Sequence, residues 1–133
     1  HFRSQEQLFM NGKEVTAFAV REIPPVIEQT VIDAGWQKSD VGVFALHQAN
    51  RFIVDYLAKK VKVDRSMMPF SCGTIGNTSV ASIPVMLSIE GASLKAAGRL
   101  GKALLCGFGV GLSWGAMATS LESTAILPLG ELP

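Results

Sequence analysis

Charge is what this sequence has least of. Only 17% of its 133 residues are charged, and 12 Lys and Arg against 11 Asp and Glu leave a net charge of +1. That balance argues against a nucleic-acid binder driven by phosphate neutralisation. Disorder is excluded for a different reason: 48% of the residues are hydrophobic and the mean hydropathy is +0.31, so there is ample apolar surface to bury. A free-standing domain of this length normally carries more surface charge. Part of the surface is therefore expected to be covered by another domain or subunit.

Histidine and cysteine are scarce as well. His1 and His47 are the only histidines, and no cysteine or carboxylate spacing fits zinc, so no metal and no cofactor is expected. The two cysteines, Cys72 and Cys106, sit in apolar or glycine-rich surroundings. The opening His1-Phe2-Arg3-Ser4-Gln5-Glu6-Gln7 is polar and reads as no signal peptide. Free thiols in a reducing, cytoplasmic compartment are expected. Long hydrophobic runs are missing: the longest, 103–118, carries four glycines and a serine and is too short for a membrane span. Repeats and low-complexity tracts are absent too.

What is present reads as one domain over 1–133. A short apolar run ends at Leu8, Phe9 and Met10, and Asn11-Gly12 turns the chain. A helical pattern starts at Lys13 and is expected to stop at Pro24-Pro25, where a second helix begins and runs to a Gly35 cap. Residues 41–46 read as a buried strand and 50–60 as a helix. A strand is expected at 67–71, then a loop over 72–77, with Thr78 or Ser79 capping a helix that runs to about Ala97. That helix is apolar nearly all round and should be buried on most sides. Residues 102–106 and 112–121 read as antiparallel strands joined by a glycine turn. Helices alternating with buried strands imply a layered α/β fold.

Three segments place polar groups at strand or loop ends. His47-Gln48-Ala49-Asn50 follows the strand at 41–46; it is either a functional histidine held at the sheet rim or a helix cap with His47 filling space. Gly76-Asn77-Thr78-Ser79 precedes the apolar helix, as a cap and turn or as a source of a fixed amide. In Gly107-Phe108-Gly109-Val110-Gly111-Leu112-Ser113-Trp114-Gly115 the GxGxxG spacing fails and a strand follows, so this is no nucleotide loop. Alternate glycines in a hairpin instead allow a ligand or another backbone to approach closely.

His-Gln-Ala-Asn, Gly-Asn-Thr-Ser-x-Ala-Ser-Ile-Pro and Gly-Phe-Gly-x-Gly-Leu-Ser-Trp-Gly occur here in that order. Together they resemble the C-terminal half of a β-ketoacyl-acyl carrier protein synthase III, a thiolase-like condensing enzyme. Met10-Asn11-Gly12-Lys13-Glu14-Val15 and Phe18-Ala19-Val20-Arg21 resemble that family's entry into the half. The family's arginine two places after His-Gln-Ala-Asn is displaced: Phe52 stands there, with Arg51 one place earlier. Ile75 stands where an aromatic or histidine usually precedes Gly-Asn-Thr-Ser.

The resemblance implies a mixed five-stranded sheet between helix layers, and a decarboxylating Claisen condensation. In such an enzyme a cysteine takes an acyl group from acyl-CoA, and malonyl-acyl carrier protein loses CO2 and attacks it. His47 and Asn77 match the pair that acts on the malonyl thioester; Val110 matches a backbone oxyanion donor, and Phe108 the pocket wall. Gly12, Ala49 and Asn50 match positions lining the pantetheine tunnel. The nucleophilic cysteine belongs to the family's N-terminal half, outside this chain, so the isolated chain is expected to be inactive. Cys72 and Cys106 read as inert core thiols. Implied partners are the N-terminal half and, through the complete enzyme, a second copy in a homodimer.

Arg51, Lys59, Lys60, Lys62 and Arg65 face only Asp55 and Asp64. The cluster is either a solvated helix face or a patch that steers an acidic carrier protein. Two other functions fit the same residues: a non-catalytic partner subunit of a condensing enzyme, or a carrier-protein binding module.

Overall fold

The computed structural model describes residues 10–130. The expected apolar run at Leu8 and Phe9 and the histidine at His1 lie outside them. Helix α1 (Gly12–Asp33) starts one residue earlier than expected, because Asn11 is its N-cap and accepts from the Glu14 amide at 3.4 Å. It runs unbroken through Pro24-Pro25, where the sequence predicts two helices. A proline inside a helix costs about 3 kcal/mol. Here Phe18, Ala19, Ile23, Ile27 and Val31 all bury on one stripe, and full burial of a large apolar side chain returns about 1.5–3 kcal/mol each. The stripe keeps its phase only if the helix continues. Gly35, at φ +68, ends it as expected. Its amide bonds to Ile32 O and that of Trp36 to Val31 O, closing a Schellman turn.

The sheet has three strands, in the order β1 (Val43–Leu46), β2 (Ala103–Gly109), β3 (Ser113–Thr119). β1 and β2 are parallel, with Val43 opposite Ala103 and Leu46 opposite Cys106. β2 and β3 are antiparallel, with Gly109 opposite Ser113 at the hairpin end. Gly111, at φ +138, lies in this turn, where a Cβ would sit 2.9 Å from the Ser113 nitrogen. The mixed character matches expectation; the strand count does not, being three among the described residues rather than five. Residues 67–71 also fail to form the expected strand. Pro69 has no amide to donate, and the Gln48 side chain takes the Pro69 carbonyl and the Ser71 amide.

A helix layer covers each face of the sheet. Helices α1 and α2 (Arg51–Val61) pack over Phe44, Leu46, Leu104, Cys106 and Phe108. Helix α3 (Ser82–Ala96) and the chain beyond β3 pack over Val43, Ala103 and Leu105, with Leu94, Leu100 and Ile126. The period-2 alternation along β1 and β2 divides these two sets. Asn50 caps α2 and accepts from the Ile53 amide at 2.9 Å.

Helix α3 departs from expectation twice. A single tight turn over Ser79–Ala81 precedes it, and neither Thr78 nor Ser79 caps it with a side chain. The Thr78 hydroxyl points inward and has no hydrogen-bond partner among the described residues. The helix is also not buried on most sides. Ser82, Met86, Gly91 and Leu94 are buried, whereas Ile89 is exposed and Val80, just ahead of the helix, is 95% exposed. The described residues cover one stripe of it only. No helix among the described residues is long and apolar enough to cross a membrane.

Candidate active site

β1 ends at Leu46 and delivers His47 to the rim of the sheet. The backbone is fixed there, since the His47 amide extends the parallel ladder to Cys106 O at 2.8 Å. The ring is fixed independently. Its Nδ1 lies 2.7 Å from Ser82 Oγ, at the start of α3. Its plane meets the Phe108 ring edge-on, with centroids 5.2 Å apart. Burial pulls the His47 pKa below the usual 6.5, and a bond to the Ser79 backbone offsets part of that pull. The imidazole is therefore neutral at pH 7 and carries one N–H.

The ring opens onto a cleft of about 600 Å³. Phe108, Val110 and Trp114 of the hairpin form one wall, and Ser79, Val80 and Ile83 the opposite one. Trp114 is held edge-on by the buried Phe18 of α1, centroids 5.0 Å apart. Of the residues singled out from sequence, His47, Ala49, Phe108 and Val110 border this cleft. Gly12, Asn50 and Asn77 do not. Gly12 opens α1, near Met10 and Val15, which do line the cleft.

Asn77 approaches the cleft through Ser79. Its Oδ1 accepts from the Ser79 amide at 2.8 Å, in a turn that leaves Ser79 at φ +55. A non-glycine residue there costs on the order of 1–3 kcal/mol, a strain typical of functional sites. With Oδ1 engaged, the free end of Asn77 is its NH2 group, a pure donor. A neutral imidazole N–H at the rim of an apolar cleft can stabilise a developing oxyanion, and Asn77 holds an amide donor in the turn next to it.

Sequence reasoning missed two residues. Gln48 is 1% exposed. Its Nε2 donates to Leu46 O at 2.9 Å and to Pro69 O at 3.3 Å, and its Oε1 accepts from the Ser71 amide at 3.0 Å. It ties the end of β1 to the segment leading to Asn77. Ser82 is 2% exposed and accepts from the Gln48 amide at 3.2 Å. Gln48 stands inside His-Gln-Ala-Asn and Ser82 inside Gly-Asn-Thr-Ser-x-Ala-Ser-Ile-Pro, but the sequence pointed to no role for either.

Both cysteines are buried free thiols. Burial pushes Cys106 up to about 12 and also raises Cys72, so neither is a thiolate at neutral pH. In the basic cluster, Arg51, Lys59 and Arg65 border one groove with Phe70. The Arg51 guanidinium lies 4.6 Å from the Phe70 ring centre, and Arg65 pairs with Asp55.

Residues 32–121 match the family described as 3-oxoacyl-[acyl-carrier-protein (ACP)] synthase III C terminal. The β-ketoacyl-[acyl-carrier-protein] synthase III of Streptococcus pneumoniae is 39% identical over 116 residues, covering 86% of this chain and 36% of that protein. Among solved structures, the 3-oxoacyl-(acyl-carrier protein) synthase of Burkholderia xenovorans superposes with a TM-score of 0.80 at 34% identity, over 96% of this chain and 36% of its own. The synthase III of Thermus thermophilus gives 0.76 at 35% identity, over 86% and 35%. The chain thus spans about a third of the length of the relatives it matches. The cleft with His47 at its rim stands on a fold shared with these synthases, and the chain belongs to the family of 3-oxoacyl-[acyl-carrier-protein] synthase III C-terminal domains.

Proposed function

We propose that this chain is the C-terminal half of a decarboxylating Claisen-condensing enzyme. It joins an acyl group delivered by acyl-CoA to a malonyl group carried on acyl carrier protein. The observation that carries the reading is the position of His47, its ring held by Ser82 at the end of β1 beside the cleft. In the reaction, the bond between malonyl C2 and its carboxylate breaks and CO2 leaves. The electron pair passes onto the thioester oxygen. His47 N–H and the Asn77 amide stabilise that oxygen, and C2 then attacks an acyl-cysteine held by the N-terminal half. The cysteine thiolate leaves, and the Val110 amide serves the second oxyanion. Phe108 lines the pocket, while Gly12, Ala49 and Asn50 border the path of the pantetheine arm. The groove beside Arg51 and Lys59 receives the acidic carrier protein. The N-terminal half and a second copy of the enzyme cover the exposed side of α3.

The test separates the two half-reactions in the complete protein. His47→Ala and Asn77→Ala should each slow malonyl decarboxylation by about a hundred- to a thousand-fold, as for loss of one preorganised donor. Acylation of the cysteine should remain largely intact in Asn77→Ala. An equal fall in both half-reactions for that variant would remove Asn77 from this role.

A further inference from the structure

We infer that Ser82 is the positioning residue that fixes the tautomer of His47, holding the proton on Nε2 and leaving Nδ1 as an acceptor. The inference rests on the reading of His47 as an N–H donor in the cleft, and it deepens that reading.

The argument follows from counting donors. Ser82 Oγ has one proton and two lone pairs. Gln48 N–H is aimed at this oxygen from 3.2 Å and uses one lone pair. His47 Nδ1 lies 2.7 Å from the same oxygen. A neutral imidazole places its proton on one nitrogen, and the bond made by the other nitrogen decides which. Two arrangements satisfy the pair: Nδ1–H donating to the serine, or the serine donating to Nδ1.

In the first, Ser82 Oγ accepts two protons and its own proton needs a further acceptor. The residue is 2% exposed, and no such acceptor is found for Ser82 among the described residues. A buried hydroxyl proton left unpaired costs about 1–3 kcal/mol. In the second, Gln48 N–H donates to Ser82, Ser82 O–H donates to His47 Nδ1, and Nε2–H remains the ring's one donor, for the Ser79 backbone or a group in the cleft. Because Ser82 sits in the first turn of α3 and Gln48 at the end of β1, the relay also fixes the ring plane relative to both elements.

The relay gives α3 a chemical task in addition to packing. Without it the ring can exchange tautomers. The molecules that carry the proton on Nδ1 then present a lone pair, in place of a donor, to an oxygen gaining negative charge.

The experiment reads the nitrogens directly. Long-range proton–nitrogen NMR of the 133-residue chain, at a pH where the ring is neutral, reports which nitrogen of His47 is protonated. A His47→Gln variant distinguishes its signals from those of His1. Wild type should show Nε2–H and an Nδ1 resonance displaced as for a hydrogen-bond acceptor, with a tautomer preference on the order of tenfold or more. Ser82→Ala should lower that preference several-fold, towards the ratio of a free imidazole, and Ser82→Thr should restore it. An Nδ1–H signal in wild type, or an Nδ1 resonance at the free-imidazole position, would overturn the inference, and so would an unchanged ratio in Ser82→Ala. The wild-type reading decides even if both variants fail to fold. No substrate is involved, so an Nε2–H result beside a fully active His47→Ala enzyme would refute the proposed function and leave the tautomer assignment intact.

Discussion

Gln48 offers the most direct test of how this site is assembled. Its side chain makes three hydrogen bonds, to Leu46 O, Pro69 O and the Ser71 amide, from a position that is 1% exposed. The amide plays the part of a neighbouring strand for a segment that has none. Each such bond is worth about 0.5–1.5 kcal/mol net, and buried partners left unpaired add to the loss. Gln48→Ala should therefore destabilise the chain by about 2–4 kcal/mol. For a domain of this size each kcal/mol lowers Tm by roughly 3–4 °C, so a fall of about 6–16 °C is expected. Urea titration should show a lower midpoint with an unchanged slope. Hydrogen exchange should quicken at Ser71 and through 72–77, with α1 still protected. Gln48→Glu keeps the shape but sets a carboxylate against the Leu46 and Pro69 carbonyls. It should be worse than alanine at pH 7.5 and recover as the pH falls, because the protonated acid regains one donor. A loss below about 1 kcal/mol in Gln48→Ala, with Ser71 exchange unchanged, would show that the side chain holds nothing.

Three further outcomes are expected. Burial lowers the His47 pKa from 6.5, so the folded state binds fewer protons than the unfolded one between the two values. The stability contributed by neutral His47 is complete above pH 6.5 and is lost as the pH falls through the folded value; urea titrations at pH 7.5 and 5.5 should show this loss, and His47→Gln should abolish it. Gly42→Ala would press a Cβ against the Arg99 backbone, 2.7 Å from its carbonyl carbon, where Arg99 Nε also donates to Gly42 O at 2.7 Å; a loss at or above the upper end of about 1–3 kcal/mol is expected in urea, and a neutral effect would refute this packing. The chain alone should self-associate and bind a hydrophobic dye through the face around Val80 and Val110, which are 95% and 87% exposed; light scattering that reports a clean monomer, with no dye bound, would count against it.

Local signals in the sequence read well where local chemistry decides. Gly35 ends α1 because an αL residue is needed there, and Asn50 caps α2 because its carbonyl reaches the Ile53 amide. The glycine hairpin and its antiparallel strands follow from alternation and turn residues. Reading failed where tertiary packing outweighed a local rule. Pro24-Pro25 should break a helix, yet the stripe from Phe18 to Val31 holds it together. Residues 67–71 have strand composition, but a side chain from elsewhere fills the partner's place. The apolar girth of α3 was legible, but the described residues cover only one stripe of it, so composition pointed to burial where they show exposure.

The site divides in the same way. His47 was legible because a strand end followed by a polar run is a local pattern, and the structure sets it on the rim of the cleft. Asn77 was legible as a motif, but its own position is decided by the bond to Ser79. Ser82 and Gln48 were not legible, because their importance lies in side-chain contacts across 35 residues of chain for Ser82 and 21 and 23 for Gln48. A serine in the first turn of an apolar helix resembles a poor cap, and a glutamine beside a histidine resembles a surface residue. Only the fold shows that one hydroxyl bridges the two motifs. The Gln48 backbone amide, the Ser82 hydroxyl and the His47 ring make a single chain of hydrogen bonds, in which Ser82 and His47 are the side-chain pair, so a change at either should be felt at the other. Double-mutant cycles between Ser82 and His47 should therefore show coupling, on the order of 0.5–3 kcal/mol, and strict additivity would separate the histidine from the serine.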